Sequence, residues 1–596
     1  MSDDTLRIAN CSGFYGDRLC AAREMVEGGP IDVLTGDYLA ELTMMILCRD
    51  RMKNPQLGFA RTFLRQMEEV LETCIERQIK VVANAGGLNP AGLAAEMEKL
   101  AARRGIRATI AYLEGDDLLS RLPELQRQGV ELRHMDRGTP LSSLTTQILT
   151  ANAYLGAWGI VEALRRGADV VICPRVTDAA LTLGPAAWKF GWAPNDWDRL
   201  AAGVVAGHII ECGAQCTGGN YSFFKEVPGI ERVGFPIVEM HHDGTFVITK
   251  HPGTGGLVSR GTVTAQLLYE IRGPRYLNPD VTARFDSIHL QQEGADRVRV
   301  TGVKGEPPPA TTKVCINYVG GYKNSMTFVL TGLDIADKAR VAEHTLWTLL
   351  GGKEKLAETS VHLTRSDRPD PHSNDDAFAY LRVVVKDQDA ARVGRAFSNK
   401  AVEMALASYP GFFITSPPTD ASPYGVYWPA LIPSALLEQR VIINGECTRV
   451  PSAPPQPATH AVKIRAPRLP SISTGPTQRR PLGTICGARS GDKGGNANVG
   501  IWTKHAAAYS WLERYLTVDK FREIVPDAAP LAIERYPLPN LLSLNFVITG
   551  LLGDGVAAST RSDPQAKSFG EYLRAKVVDI PRALLPASAG SQTDDV

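Results

Sequence analysis

Apolar and polar positions alternate in two rhythms through the first two hundred residues. Short apolar runs end in glycine-containing or polar turns, and stretches with a helical apolar period follow them. The clearest unit begins at Lys80. Val81 and Val82 end a strand, the turn Asn84-Ala85-Gly86-Gly87-Leu88-Asn89-Pro90 follows, and 91–102 carries a helical pattern. Ahead of it, Phe63, Leu64, Met67, Val70, Leu71, Cys74 and Ile75 recur at i, i+3, i+4 and i+7 spacing, which predicts an amphipathic helix. Leu6 to Ala9, 108–113 and 168–173 predict further strands. This alternation predicts an α/β domain over 1–204 built on a mostly parallel sheet.

The rhythm changes near residue 205. The segment 237–249 predicts a hairpin that turns at Asp243-Gly244. Strands are predicted at 297–302, 313–319 and 381–385 and a helix at 334–350, so 205–450 reads as an α+β region that completes the first domain. Prolines 451, 454, 455, 457, 467, 470, 476 and 481 make 451–481 a linker. A small α+β domain is predicted over 482–585. Its elements are a strand at 482–486, a glycine-rich loop, strands at 499–502 and 541–548, and helical stretches at 505–525 and 564–575. The tail from Pro586 is predicted to be disordered.

Composition narrows the class. The 596 residues exceed one ordinary domain, and 44% hydrophobic with 22% charged residues is a globular balance. A net charge of +1 argues against nucleic acid as the main partner. No apolar run approaches the roughly 18 residues of a membrane span. The N-terminus MSDDTLRIANCSGF has no secretory pattern. Ten cysteines without a CxxC pair suggest reduced thiols, and a cytoplasmic location is expected. No cofactor and no bound metal are expected.

Candidate chemistry sits at the strand ends, because open α/β sheets bind ligands outside the carboxyl ends of their strands. The first turn offers Ser12, Tyr15 and Arg18 among glycines that let amides approach an anion, or serves only as a tight capped turn. In the second, Asp37 and Glu41 would share a helix face, as an acid/base pair or as acids favoured at a helix start. Asn84, Gly86, Gly87 and Asn89 form the third turn. Glu114 and Asp116 end another strand, and Arg175 with Asp178 a further one. An arginine among acids clamps a carboxylate or phosphate. His208, Cys212 and Cys216, at helical spacing beside Glu211, could activate a thiol or hold zinc, although buried structural residues explain them equally. Thr254, Gly255 and Gly256, then Arg489 and Lys493, mark two possible anion loops.

These blocks resemble a known family. NCSGFYGDR at 10–18, LTGDYLAELT at 34–43, ANAGGLNP at 83–90, EGDD at 114–117, GHIIECGAQCTGG at 207–219 and TGGLVSRGTV at 254–263 look like the acyclic terpene utilisation AtuA family. GARSGDKGGNANVGIW at 487–502 looks like the ferredoxin-like domain that accompanies it. The resemblance implies catabolism of branched acids by way of acyl-CoA thioesters. The reading is a lyase or hydratase whose small-molecule partner is a branched acid or acyl-CoA, in a homo-oligomer. Arg18 and Arg175 would hold a carboxylate, and Asp37 with Glu114 or Asp116 would move protons. The alternatives are a non-catalytic partner of an acyl-CoA carboxylase, or a metal-dependent hydrolase built on the His208 cluster.

Overall fold

The computed structural model of the chain describes residues 5–451, 464, 467–471 and 475–586. Most of the proline-rich segment and the tail beyond Pro586 lie outside the described residues. The main body opens as expected. Strands β1 (Thr5–Asn10), β2 (Val33–Gly36), β3 (Lys80–Ala83) and β4 (Ile110–Glu114) are followed by β5 (Ile148–Ala153) and β6 (Val170–Ile172). Five of them form a parallel core in the order β1-β2-β3-β6-β4. All five carboxyl ends reach the same edge, which brings their turns together.

Alternation along these short strands builds a three-layer packing. Ile8, Val33, Val82, Ala111 and Val171 enter one core. Ala9, Leu34, Val81, Ile110 and Ile172 enter the other. Helices α1 (Ala21–Glu27), α2 (Glu41–Lys53), α3 (Arg61–Glu76) and α4 (Pro90–Arg104) come early in the chain. The stripe Phe63, Met67, Val70, Leu71 and Cys74 of α3 is buried in the second core. Each such side chain contributes about 1.5–3 kcal/mol. Asn89 Oδ1 accepts the Gly92 N–H at 2.9 Å to start α4, and Gly105, with φ +69°, ends it.

The region beyond residue 204 extends the main sheet and also carries a core of its own, from Met326 to Tyr409. The hairpin β7 (Pro236–His241) and β8 (Phe246–Lys250) joins β1 antiparallel, and Gln439–Ile443 joins β4 antiparallel. The result is one sheet of eleven strands, parallel at its centre and antiparallel on both flanks. The expected strand at 313–319 is a stretch of the long strand Thr311–Thr331, which pairs with both β5 and Ser422–Pro433.

The C-terminal domain has its own core. Its antiparallel sheet runs Cys486–Lys493, Asn496–Thr503, Ser543–Ile548, Ile533–Leu538. Two expectations are corrected here. The glycine-rich stretch after 486 is itself a hairpin, with Gly487 against Trp502, Gly491 against Tyr269 and Gly500 against Leu268. Its glycines admit large neighbours. The linker also ends early, because Thr477–Pro481 pairs with Val577–Pro581. All ten cysteines are free thiols, and no helix of the described residues is long and apolar enough to cross a membrane.

Candidate active site

A cavity of about 800 Å³ opens at the carboxyl ends of the parallel strands. The long strand supplies Lys313 to its wall, and the C-terminal domain supplies Asp492 and Lys493. Its polar floor is built around Arg175, which follows β6 and is 2% exposed. The guanidinium donates from Nη1 to Asp178 Oδ1 at 2.7 Å and lies 4.3 Å from the Tyr154 ring centroid. Asp37 follows β2. Its Oδ1 accepts the Asn84 side-chain N–H at 2.6 Å and the Leu39 N–H at 3.1 Å. Asn84 Oδ1 in turn accepts the Tyr38 N–H at 2.7 Å.

The acids divide into two groups. Burial first, then Asp178, push the Asp37 carboxyl well above the usual range against the pull of Arg175. Burial also raises Asp178, and it raises Glu211 with help from Asp178 and Glu270. Clustered buried carboxyls shift in this direction, toward the protonated form. Glu41 behaves oppositely. Burial alone would raise it, yet Lys313, Arg175 and the Tyr154 hydroxyl hold it down at about 2. Tyr154 donates to Glu41 Oε1 at 2.6 Å, and the Lys313 ammonium lies at 3.4 Å. Three carboxyls shifted toward the protonated form therefore share one arginine with a fixed carboxylate.

His208 lies beside Glu211, with Nδ1 3.3 Å from Oε1, and packs on Tyr276. Burial pushes it down to about 4, so the ring is neutral. Cys212 is raised well above its ordinary value, first by burial and then by Glu211, so it is a thiol and not a thiolate. The helix that carries His208 (Trp197–Ile210) ends before Cys212, and Gly213 at φ +58° turns the chain. The expected face of His208, Cys212 and Cys216 is therefore not formed. Among the described residues, no three His, Cys, Asp or Glu side chains are placed to hold a metal. Asp37 and Glu41 likewise share no helix face, because α2 starts only at Glu41; both still reach the cavity.

Several other expected residues serve the frame. Arg18 turns to Glu24 at 2.7 Å, because Asp17 takes the Gly13 N–H and closes its loop. The Ser12 hydroxyl donates to the Phe14 carbonyl, and the Tyr15 carbonyl accepts from Thr62. Gly86 donates to the Cys173 carbonyl, Gly87 takes φ +51°, and Asn89 caps α4. Glu114 lies out at the pairing with Gln439–Ile443 and faces Arg440 at 3.2 Å. Asp116 is buried behind the floor, where its Oδ2 accepts from the Asn152 amide at 2.7 Å and the Arg175 backbone N–H at 3.2 Å. It orients Arg175 from behind. In the expected anion loop at 254–256, the Gly256 N–H is taken by the Pro228 carbonyl, and a Cβ on Gly255 would meet Gly229 O at 2.3 Å. Arg489 stacks on Tyr269 at 4.6 Å and donates to the Asn220 carbonyl.

Residues not singled out from the sequence complete the site: Tyr154, Glu270, Lys313 and Tyr427. A lysine inside the apolar run 311–319 was a usable signal for Lys313. Glu270 carried none. It stands at φ +56°, rare for a residue with a side chain, and the C-terminal domain holds it there. Asn498 accepts the Glu270 N–H at 2.8 Å and donates to the Leu268 carbonyl at 2.7 Å, while Asn545 donates to the Arg272 carbonyl at 2.9 Å. Arg175 Nε, Glu211 Oε2 and Gln215 Oε1 are buried without a hydrogen bond in the protein, a pattern that marks functional ground.

The model of the acyclic terpene utilisation family protein AtuA matches residues 6–443, and that of the AtuA ferredoxin-like domain matches residues 480–579. Neither curated proteins nor solved structures give a match. The first match covers the strand-end turns and Lys313, and the second covers the hairpin that brings Lys493. With nearly three quarters of its length under the first match alone, the chain belongs to the acyclic terpene utilisation AtuA family.

Proposed function

We propose that this chain is a lyase or hydratase that acts on a branched, terpenoid-like acid or its acyl-CoA ester. The observation that carries this reading is the cluster of carboxyls of Asp37, Asp178 and Glu211, each shifted toward its protonated form, around the buried Arg175. A guanidinium held this way binds a carboxylate at a fixed angle. Leu39, Leu42, Met45, Leu277 and Leu431 line the same cavity and suit a branched hydrocarbon chain. A carboxyl that keeps its proton at neutral pH can protonate a leaving hydroxyl, while an ionised carboxylate takes the proton from the neighbouring carbon. Loss of water or cleavage of the adjacent C–C bond both follow from that pairing.

Calorimetry with branched acids and their CoA thioesters, followed by turnover assays on those that bind, tests the reading. Binding is expected to weaken at least ten-fold in Arg175→Lys, and turnover to collapse in Asp37→Asn. No binding to any such acid or ester, together with an unimpaired Asp37→Asn enzyme, would sink it.

A further inference from the structure

The C-terminal hairpin brings one lysine to the cavity under unusual conditions. The Lys493 amine donates to the Glu270 carbonyl oxygen at 2.5 Å. Glu270 and Asp492 also face Lys567, which lies 3.3 Å from Glu270 Oε1 and 3.6 Å from Asp492 Oδ1. Lys493 makes no ion pair among the described residues. A backbone carbonyl holds the nitrogen in place without fixing its charge. His208, kept neutral by burial, and Glu211, whose carboxyl burial raises, line the same cavity, and Glu211 is within electrostatic reach of both Lys493 and Arg175.

We propose that Lys493 is the amine nucleophile of this site and that the substrate is an oxo acid, with its carboxylate on Arg175 and its ketone or aldehyde carbon at the lysine. The proposal rests on the lyase reading and names its substrate class. Burial, and then the charge of Lys313, lower the Lys493 ammonium from its ordinary value against the pull of Glu270, Glu41 and Glu211, which shifts it toward the reactive neutral amine. A desolvated lysine beside a second cation is an established way to make such a nucleophile.

The chemistry closes with groups already in the cavity. The neutral amine adds to the carbonyl carbon, and the π pair moves to oxygen, which takes the proton of Glu211. The Glu211 carboxylate recovers a proton from the new ammonium. It returns that proton to the carbinolamine hydroxyl, which leaves as water while the nitrogen lone pair closes the C=N bond. The product is an iminium cation opposite the Glu211 carboxylate. Where the substrate bears a hydroxyl one carbon further on, the Glu211 carboxylate takes that hydroxyl's proton, the hydroxyl carbon leaves as an aldehyde or ketone, and the electron pair of the broken C–C bond enters the iminium to give an enamine.

Borohydride trapping tests this in the full-length protein. The probes are 4-oxopentanoate and a longer branched oxo acid, and peptide mass spectrometry locates the adduct. Reduction of the iminium is expected to leave a stable secondary amine on Lys493. Lys493→Arg, checked for folding by circular dichroism and melting, should give at least ten-fold less. An oxo acid that binds by calorimetry yet leaves no adduct on Lys493 overturns the proposal while the acid-binding reading stands. An adduct on Lys493 without C–C cleavage or dehydration of any branched acid upholds the nucleophile and overturns the lyase or hydratase reading. Absence of both binding and adduct overturns both.

Discussion

Asn84 holds Asp37 from behind, donating its side-chain amide to Asp37 Oδ1 at 2.6 Å while its own oxygen takes the Tyr38 N–H. One residue from the third strand end thus fixes an acid from the second. Asn84→Ala leaves both partners buried and under-bonded, at a cost of about 1–3 kcal/mol. Urea denaturation should show a lower midpoint with an unchanged slope, and acid binding should weaken in parallel. An unchanged midpoint would show that the pair carries no weight.

Asp116 makes stability depend on pH in a defined direction. Burial raises its carboxyl from 3.8 to about 7. In that window the folded chain keeps a proton that the unfolded chain has lost, so this contribution to stability falls as pH rises from about 4 to about 7. The full effect is on the order of 4 kcal/mol. Asp116→Asn has no proton to lose and keeps an acceptor. The variant should therefore gain on the parent between about pH 4 and about pH 8. His208, depressed to about 4, contributes the opposite slope, lost as pH falls from 6.5, but it cancels in the difference between the two proteins. Parallel curves in urea would refute the assignment.

Glu270→Gly should stabilise the chain. Glycine occupies φ +56° without strain, worth about 1 kcal/mol. The ion pair it loses with Lys567 is well exposed and contributes little. A melting temperature above that of the parent is the expected result; a large drop would mean that the side chain holds the domains together.

Gly13→Ala should do the reverse. A Cβ there would lie 2.5 Å from the Cys212 carbonyl carbon, and backbone cannot step aside as a side-chain tip can. Overpacking of this kind costs about 1–3 kcal/mol. Because both residues line the cavity, ligand affinity should fall with stability; a variant equal to the parent in both would show the contact to be soft.

The parallel core was legible because its signals are local. Each short β-branched run, turn and amphipathic helix announces itself within about a dozen residues, and Asp37, Arg175 and Asp178 follow from standing at strand ends. The flanking strands carry no such signal of destination: nothing in 439–443 says that it pairs with β4. Glycine was the least reliable guide. At 254–256 and 487–500 it permits close packing, a use that looks the same in sequence as an anion loop. Glu270 could not be found at all, since its conformation is imposed by Asn498, 228 positions away.

The hydrogen bonds from Asn498 and Asn545 to the 268–272 backbone assemble the cavity wall from two separately cored parts of the chain. The covalent connection between those parts adds effective concentration, which changes slowly with its length. Lengthening it should be nearly silent. Cutting it should turn a unimolecular site into a bimolecular one: two fragments that regain function together, with a half-saturation set by the affinity of the Asn498 contact surface.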